Sequence, residues 1–320
     1  MASKLHAVNY GRVRNPGTKS TARAAARSKE DIVPNLKQIL FPVDFSEQNC
    51  SVAPYVACMA SRYGAHVTML HVAEISTAGY PEWPAQASLV DFEAMAAERQ
   101  QRLDAFLASD FQSVAASRLM LKGDPARVIS EYADRQNIDL IMMPTHGYGP
   151  FRRFLLGSIT AKVLHDVKCP VWTSAHLPER AAPPAGYRSL LCAVDLMPTS
   201  VSLIQWAAAF AREHGATLKL VHAIPAAEKT GGIDIEGNRF RAILVDVARE
   251  ELAKMQQQAK TNLEVLVEAG DVAPVVHRAA ELHHADLVVI GRGVMQGLFG
   301  RMRTHVYSVI REAPCPVISV

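Results

Sequence analysis

The sequence predicts an α/β protein made of two tandem, doubly wound parallel sheets of five strands each. Two observations predict this. Short apolar runs bounded by glycine, proline and polar residues alternate with longer segments of helical periodicity, and the whole alternation occurs twice in 320 residues. Strand–helix alternation implies right-handed crossovers, and therefore parallel strands with helices on both faces.

The internal repeat is visible as four pairs of matching segments. The pairs are ILFPVD (39–44) with LLCAVD (190–195), AHVTMLHVA (65–73) with ATLKLVHAI (216–224), residues 123–147 with 270–293, and VLHDVKCPV (163–171) with VIREAPCPV (309–317). The offset between the copies drifts by only a few residues. Loop-length differences explain such a drift, so both halves are predicted to share one fold.

Composition predicts four segments. They are a disordered basic tail (1–35), a first domain (36–175), a Pro-rich linker (176–187) and a second domain (188–320). Residues 1–29 carry seven Lys and Arg and no acid, so removing those charges from the net +3 leaves −4 for the rest. A basic, weakly apolar segment is typical of disorder. A nucleic-acid contact and a transit peptide remain alternatives for the tail, but a solvated tail without a dedicated partner is favoured.

Each strand of the first unit is short and apolar, which predicts burial on both faces. The predicted strands are 37–43, 66–73, 117–122, 138–143 and 170–174, and the helical segments between them are 46–63, 88–109, 125–136 and 158–167. Ser46 is a predicted N-cap and Gly64 a predicted C-terminal stop. Pro54 is expected to kink the first helix or shift its start.

Composition also excludes several classes of protein. With 49% apolar and 20% charged residues, the chain is typical of globular proteins, and no apolar run approaches the roughly 18 residues of a membrane helix. Five scattered cysteines without a Cys-x-x-Cys pair indicate a reducing compartment, so we expect a cytoplasmic protein. The recurring His71 and His222 lack further ligands at metal-binding spacing and favour a structural role.

A ligand is expected where the strand order reverses. With order 3-2-1-4-5, that crevice lies between the first and fourth strands. Asp44 ends the first strand, and Gly147 and Gly157 follow the fourth, where they allow a ligand close to the backbone. Ser158 opens the next helix, whose free N–H groups and dipole favour an anion. A tight turn at the glycines and a capping role for Asp44 remain alternatives.

The stretch MPTHGYGPFRRFLLGS (143–158) resembles the nucleotide motif of the universal stress protein family in its tandem form, and the resemblance extends from about residue 36 to the end. That motif reads Gly-x2-Gly-x9-Gly-(Ser/Thr). Gly147, nine residues and then Gly157-Ser158 match its second half, whereas Pro144 stands in place of the first glycine and lacks an N–H.

The resemblance implies a Rossmann-like fold and a stress-response sensor or regulator that binds ATP or AMP, with or without Mg²⁺. The implied contacts are Pro42, Asp44 and Val72 for base and ribose, Met143, Pro144 and Gly147 for sugar and phosphates, and Gly157, Ser158, Ile159 and Thr160 for the phosphate chain. Replacing Gly157 by valine is then expected to abolish binding and leave the fold intact. Any enzymatic activity would be limited to slow hydrolysis or self-phosphorylation at Ser158.

The second unit is expected to be a degenerate site. Val294 and Thr304-His305 stand in place of motif glycines, although Asp195 remains and Arg292, Arg301 and Arg303 could still hold an anion. The resemblance also implies that the closing CPV strands of the two units pair as an internal pseudo-dimer, and such pairing would cover their edges. Further association into a homo-oligomer is compatible with this arrangement.

Two rival functions remain. One is a nucleotide-independent interaction module, which Pro144 and the degenerate second unit favour. The other is an enzyme of a related fold, such as an adenylyl transferase, but the sequence has no His-x-Gly-His motif after the first strand. No P-loop, nucleophile elbow or His-Glu-x2-His motif is present either.

Overall fold

The computed structural model describes residues 34–74, 97–146, 156–177, 186–226, 235–292 and 302–320. These residues belong to one compact unit. The basic tail, most of the predicted linker and Gly147 lie outside the described residues, so the expectations for them stay predictions.

The first repeat alternates strands and helices as the sequence predicts. Its elements are β1 (Gln38–Pro42), α1 (Glu47–Tyr63), β2 (His66–Ala73), α2 (97–105), β3 (Ala116–Lys122), α3 (Pro125–Arg135), β4 (Leu140–Pro144), α4 (Ser158–Asp166) and β5 (Val171–Ser174). All five strands lie within two residues of their predicted bounds. Strand prediction succeeds here because buried parallel strands are short apolar runs with breakers at both ends.

The second repeat has the same order of elements. They are β6 (Ser189–Ala193), α5 (Ser200–His214), β7 (Thr217–Ile224), α6 (Ile235–Ala259), β8 (Glu264–Ala269), α7 (Val272–Leu282), β9 (Leu287–Ile290), α8 (Met302–Glu312) and β10 (Val317–Ser319). Among the helices described, none is both long enough and apolar enough to cross a bilayer.

The ten strands form one sheet in the order β3-β2-β1-β4-β5-β10-β9-β6-β7-β8. Within each repeat the order is the predicted 3-2-1-4-5 and the pairing is parallel. At the join, β5 and β10 pair antiparallel, with Trp172 opposite Ile318. Counted from the two Cys-Pro-Val segments, Trp172 and Ile318 occupy equivalent positions. The join is therefore symmetric, and the two predicted sheets are halves of one.

Helices cover the sheet on both faces, and the pleat of each strand divides its side chains between two apolar layers. In β1, Ile39 and Phe41 face the layer that includes residues of α1 and α5, whereas Leu40 faces the layer that includes residues of α3, α4, α7 and α8. Both layers contain buried residues from both repeats. The repeats consequently share their cores as well as their sheet.

Helix α1 begins and ends with the predicted caps. The Ser46 side chain accepts a hydrogen bond from the Asn49 N–H, and Gly64 adopts the left-handed conformation (φ 55°) after the last turn. Pro54 lies inside the helix, which begins seven residues earlier at Glu47. The expectation that Pro54 shifts the start of the helix is therefore wrong.

An aromatic cluster joins the repeats beside the β5–β10 pair. The indole N–H of Trp172 donates to the Tyr187 hydroxyl at 2.8 Å, and both residues are buried. On α5, Phe210 lies 6.4 Å between ring centroids from Tyr63 of α1 and stacks on His214 at 4.3 Å. This aromatic cluster therefore joins the two repeats. It contains residues of α1 and β5 from the first repeat, and residues of α5 and the segment before β6 from the second.

The first prediction concerns the Trp172–Tyr187 hydrogen bond. Tyr187→Phe would leave the buried indole N–H without its acceptor, and an unsatisfied buried group costs about 1–3 kcal/mol. We expect the free energy of unfolding in urea to fall by that amount. Tyr132→Phe on α3, for which the structure describes no hydroxyl hydrogen bond, is the control and should change stability by less than about 0.5 kcal/mol. Equal effects of the two substitutions would contradict the prediction.

The second prediction concerns pH. Burial, assisted by Arg62 of α1, lowers the pKa of His214 to about 4, and neither ring nitrogen has a hydrogen-bond partner among the described residues. Because the unfolded chain takes up the proton near pH 6.5, this part of the stability is complete above pH 6.5 and is lost as the pH falls towards 4. Partial exposure limits its size to the order of 1 kcal/mol.

Thermal unfolding of wild type, His214→Phe and the exposed-histidine control His305→Gln at pH 7.5 and 5 measures this contribution. His214→Phe should lose less stability than wild type between the two pH values, and His305→Gln should follow wild type. The same pH dependence in all three proteins would mean that His214 does not contribute.

Candidate functional site

The candidate site lies where β1 and β4, which are neighbours in the sheet, both end. Residues 43–46 leave β1 there, and Thr145 and His146 leave β4. Because parallel strands end at the same edge, segments about 100 residues apart in sequence come together, as the predicted strand order requires.

Asn49 fixes the loop after β1. Its buried amide accepts from the Asp44 N–H at 2.8 Å and donates to the Pro42 carbonyl at 3.2 Å. One Asp44 carboxylate oxygen accepts from the Ser46 N–H at 3.0 Å, while the Asp44 side chain is exposed. Asp44 therefore shapes the turn and still presents negative charge to solvent. Sequence reasoning missed Asn49, because burial is not visible in the sequence and the local signal is only its position three residues after the predicted N-cap Ser46.

A second contact supports this loop from β2. The Nδ1–H of His71 donates to the Val43 carbonyl at 2.8 Å, and burial lowers the pKa of the ring, which favours the neutral form. Phe45 has φ 64°, which is uncommon for a bulky residue, and its ring lies 4.5 Å from His71 and 4.4 Å below the guanidinium carbon of Arg102. These contacts give His71 and Phe45 structural roles beside Asp44.

Helix α4 is bonded to the end of β4. The Gly157 N–H donates to the Thr145 carbonyl at 2.8 Å, and the Thr160 hydroxyl donates to the Pro144 carbonyl at 3.2 Å. Thr145 is held in turn by β5, because its N–H donates to the Ser174 carbonyl at 3.3 Å. The first turn of α4 is therefore fixed beside the carboxyl end of the central strands.

Gly157 lies so close to the end of β4 that a side chain at this position would contact the backbone there. Its φ of −60° is accessible to any residue, but an added Cβ would lie 3.1 Å from the Thr145 carbonyl oxygen and 3.4 Å from His146 Cα. Whether Gly157→Val leaves the fold largely intact stays a prediction, since a Cβ at this position requires the neighbouring backbone to move by a few tenths of an ångström. The side chain would press against the backbone that receives the helix.

Among the described residues, no side chain caps the N-terminus of α4. Gly157 occupies the N-cap position without a side-chain hydrogen bond, and Ser158 and Ile159 are exposed. The first N–H groups of a helix carry partial positive charge and bind anions when no side chain caps them. Chemically, this end of α4 can accept a phosphate or carboxylate.

The remaining predicted residues fall into two groups by burial. Pro42, Met143, Pro144 and Thr160 are buried, and Val72 and Gly157 are half-buried. The buried side chains of Pro42, Met143, Pro144 and Thr160 present little surface to solvent at this edge of the sheet. Gly147 lies outside the described residues, so its predicted contact with phosphate remains untested.

Comparison with known proteins agrees with the repeated fold. The universal stress protein family model matches residues 35–174 and again residues 186–320. The chain belongs to the universal stress protein family. A universal stress protein of Methanocaldococcus jannaschii is 30% identical over 139 residues, 42% of this chain and 79% of the relative. One from Mycolicibacterium smegmatis is 25% identical over 293 residues, 88% of this chain and 96% of the relative.

Solved structures support the tandem architecture. A universal stress protein from Archaeoglobus fulgidus aligns with a TM-score of 0.63 at 20% identity, covering 90% of this chain and 97% of that chain. At 20% identity, this similarity is evidence for the fold alone. The alignment spans both repeats of this chain, so it supports the α/β fold of each.

The loop after β6, in the second repeat of this universal stress protein, corresponds to the loop after β1. It shares one hydrogen bond with that loop and differs in the bonds of its aspartate. The His222 Nδ1–H donates to the Val194 carbonyl at 2.8 Å, as His71 does in the first repeat. The Asp195 carboxylate accepts from the Ser200 hydroxyl at 2.6 Å and from the Met197 N–H at 3.2 Å. Asp195 is thus engaged in its own loop more fully than Asp44 is.

The guanidinium of Arg292, which the sequence allowed to hold an anion in the second repeat, is bonded to backbone instead. It donates to backbone carbonyls of the first repeat, at distances from 2.6 to 3.4 Å. Val294 and Arg301 lie outside the described residues.

The third prediction tests the packing role of Gly157. Gly157→Ala should lower the free energy of unfolding, because overpacking against backbone costs about 1–3 kcal/mol and exceeds the 0.4–1 kcal/mol gained from a less flexible unfolded chain. Chemical denaturation measures the difference. The neighbouring Ser158→Ala, on an exposed side chain, is the control and should be near neutral. A Gly157→Ala protein at least as stable as wild type would show that the site relaxes freely.

Proposed function

We propose that this universal stress protein binds an adenine nucleotide, ATP or AMP, in its first repeat and acts as a nucleotide-dependent stress sensor or regulator. One observation carries the proposal: the first turn of α4, which no described side chain caps, is hydrogen-bonded to the end of β4, next to the strand whose loop presents Asp44. An anion site and an exposed acceptor thus flank the crevice between β1 and β4.

The nucleoside would occupy the β1 and β2 side of the crevice. Asp44 would accept hydrogen bonds from ribose hydroxyls, which a carboxylate does well. Val72, half-buried at the end of β2, and Pro42, at the end of β1, would border the adenine. Met143 and Pro144 would form the floor under the sugar, since both are buried at the end of β4.

The phosphates would bind at α4. Backbone N–H groups of Ser158, Ile159 and Thr160 would face them, and Gly157 would allow the close approach. Because the Thr160 hydroxyl already donates to Pro144, only its N–H is assigned to phosphate. Gly147 would complete the cradle. Mg²⁺ would arrive with ATP, and Asp44 is the acid among these residues that can reach its hydration shell.

We also propose that the β5–β10 pair is the internal counterpart of a dimer contact. Its symmetric register supports this, because equivalent positions of the two repeats face one another there. Pairing removes the exposed edge that each repeat would have alone. The five scattered cysteines, without a Cys-x-x-Cys pair, support a reducing compartment such as the cytoplasm.

The fourth prediction tests nucleotide binding with a charge at the first turn of α4. Ser158→Asp should lower ATP affinity at least about tenfold, because a carboxylate at the anion site repels phosphate. The same change favours the helix by about 0.3–1 kcal/mol, so lost binding cannot come from unfolding. Calorimetric titration of ATP, AMP and adenosine into nucleotide-free protein is the measurement.

The matched control is Ser202→Asp, which places the same charge in the first turn of α5 in the second repeat. It should leave ATP affinity within about twofold of wild type. Adenosine affinity should change little in either variant, since adenosine has no phosphate. Absence of ATP and AMP binding to wild type at millimolar concentration would refute the proposal and favour a nucleotide-independent interaction module.

A further inference from the structure

Arg292 follows β9 in the second repeat and reaches into the first. Its guanidinium donates to the carbonyl oxygens of Val167 at 3.0 Å and Cys169 at 2.6 Å, with longer contacts of 3.4 Å to Leu164 and Lys168. These are the last carbonyls of α4 and those just beyond it, which no later turn of the helix can satisfy.

The chemistry of this contact suits a helix C-terminus. Helix α4 ends at Asp166, and its C-cap residue, Val167, is extended and takes the place of the glycine that commonly closes a helix. A cation at this end interacts favourably with the helix dipole, and the planar guanidinium supplies several donors at once. Burial lowers the pKa of Arg292, and an arginine nevertheless remains cationic. Arg292 therefore acts as the C-terminal cap of α4, supplied from the other repeat.

A second donor from the same repeat contacts the middle of α4. The Tyr307 hydroxyl, on α8, donates to the Ala161 carbonyl at 3.1 Å. Helix α4 has nine residues, so Arg292 at one end and the proposed phosphate site at the other are separated by only about 14 Å along the axis. Bonds at Ala161 and at the C-terminus leave little of this short helix free to move independently of the second repeat.

The backbone hydrogen bonds to the last strand of each repeat show which residue of the first repeat is equivalent to Arg292. The Arg292 N–H donates to the Val320 carbonyl just as the Thr145 N–H donates to that of Ser174, and Ser174 and Val320 are equivalent positions after the two Cys-Pro-Val segments. Arg292 is thus the counterpart of Thr145. In the first repeat this position receives the N-terminus of α4 through its carbonyl, and in the second repeat it holds the C-terminus of the same helix through its side chain.

We propose that Arg292, assisted by Tyr307, is a positioning residue for the phosphate end of the first repeat's site: by holding α4 from the second repeat, it fixes where the helix N-terminus presents its N–H groups. This inference rests on the proposed function. It assigns the second repeat a part in binding at the first repeat, whether or not it binds a ligand itself.

The test compares ATP and adenosine affinities of the full-length wild type, Arg292→Met, Arg292→Lys and Tyr307→Phe. Contacts along such a coupled element change affinity by roughly 2–30-fold. Arg292→Met should weaken ATP binding by about fivefold or more and leave adenosine affinity within about twofold. Arg292→Lys, with one point donor instead of a fork, should recover part of the loss. Tyr307→Phe keeps the ring and removes only the hydroxyl, so it serves if Arg292→Met folds poorly.

Hydrogen exchange of the α4 amides provides a readout independent of ligand. Faster exchange of the hydrogen-bonded amides of α4, from Ala161 to Val167, with exchange in α3 unchanged, is expected for Arg292→Met and to a smaller degree for Tyr307→Phe. If wild type binds ATP but both variants keep its ATP-to-adenosine affinity ratio, this inference is overturned and the proposed function stands. Equal losses for ATP and adenosine would indicate general destabilisation and would also overturn it. If wild type binds neither ATP nor AMP, the proposed function and this inference both fail.

Discussion

The pairing of the two edge strands, β5 and β10, is the interaction on which the rest of the structure depends. Each repeat, taken alone, ends its sheet in a short apolar strand whose backbone groups on one side would be unpaired, and such edges invite aggregation. The antiparallel pairing of β5 with β10 satisfies both edges at once. Because the equivalent residues Trp172 and Ile318 face each other, the join imposes a local twofold relation, and this relation brings α4 next to the loop that follows β9.

That relation explains why the aromatic cluster and the Arg292 contact exist. Residues of α1 and α5 meet on one side of the joined sheet, where Trp172, Tyr187 and Phe210 are buried together. On the other side, α4 and α8 belong to one apolar layer, and Tyr307 reaches Ala161. The chain therefore gains a shared core, and a change in one repeat can be felt by the other through packed and hydrogen-bonded contacts.

Much of this fold follows from sequence, because buried strands and repeated segments leave a local signal. The strands, their order within each repeat and the Ser46 and Gly64 caps are confirmed. The site is only partly predictable. Asp44 and the α4 N-terminus follow from strand order and motif spacing, whereas the Thr160–Pro144 bond and the close approach at Gly157 depend on packing between elements distant in sequence. No local pattern specifies which carbonyl a hydroxyl will meet.

Arg292 shows this limit most clearly. Its neighbourhood is basic in sequence, which suggests an anion site, but the nearest unsatisfied partners in space are carbonyls of the first repeat. Backbone acceptors at a helix C-terminus offset part of the cost of burying the guanidinium, and tertiary contact therefore decides the role of Arg292. The same position carries a small polar residue, Thr145, where α4 begins, and a long cation where α4 ends. The two repeats thus have different residues at this position, and each residue contacts a different end of α4. Through these contacts the helix links the two repeats.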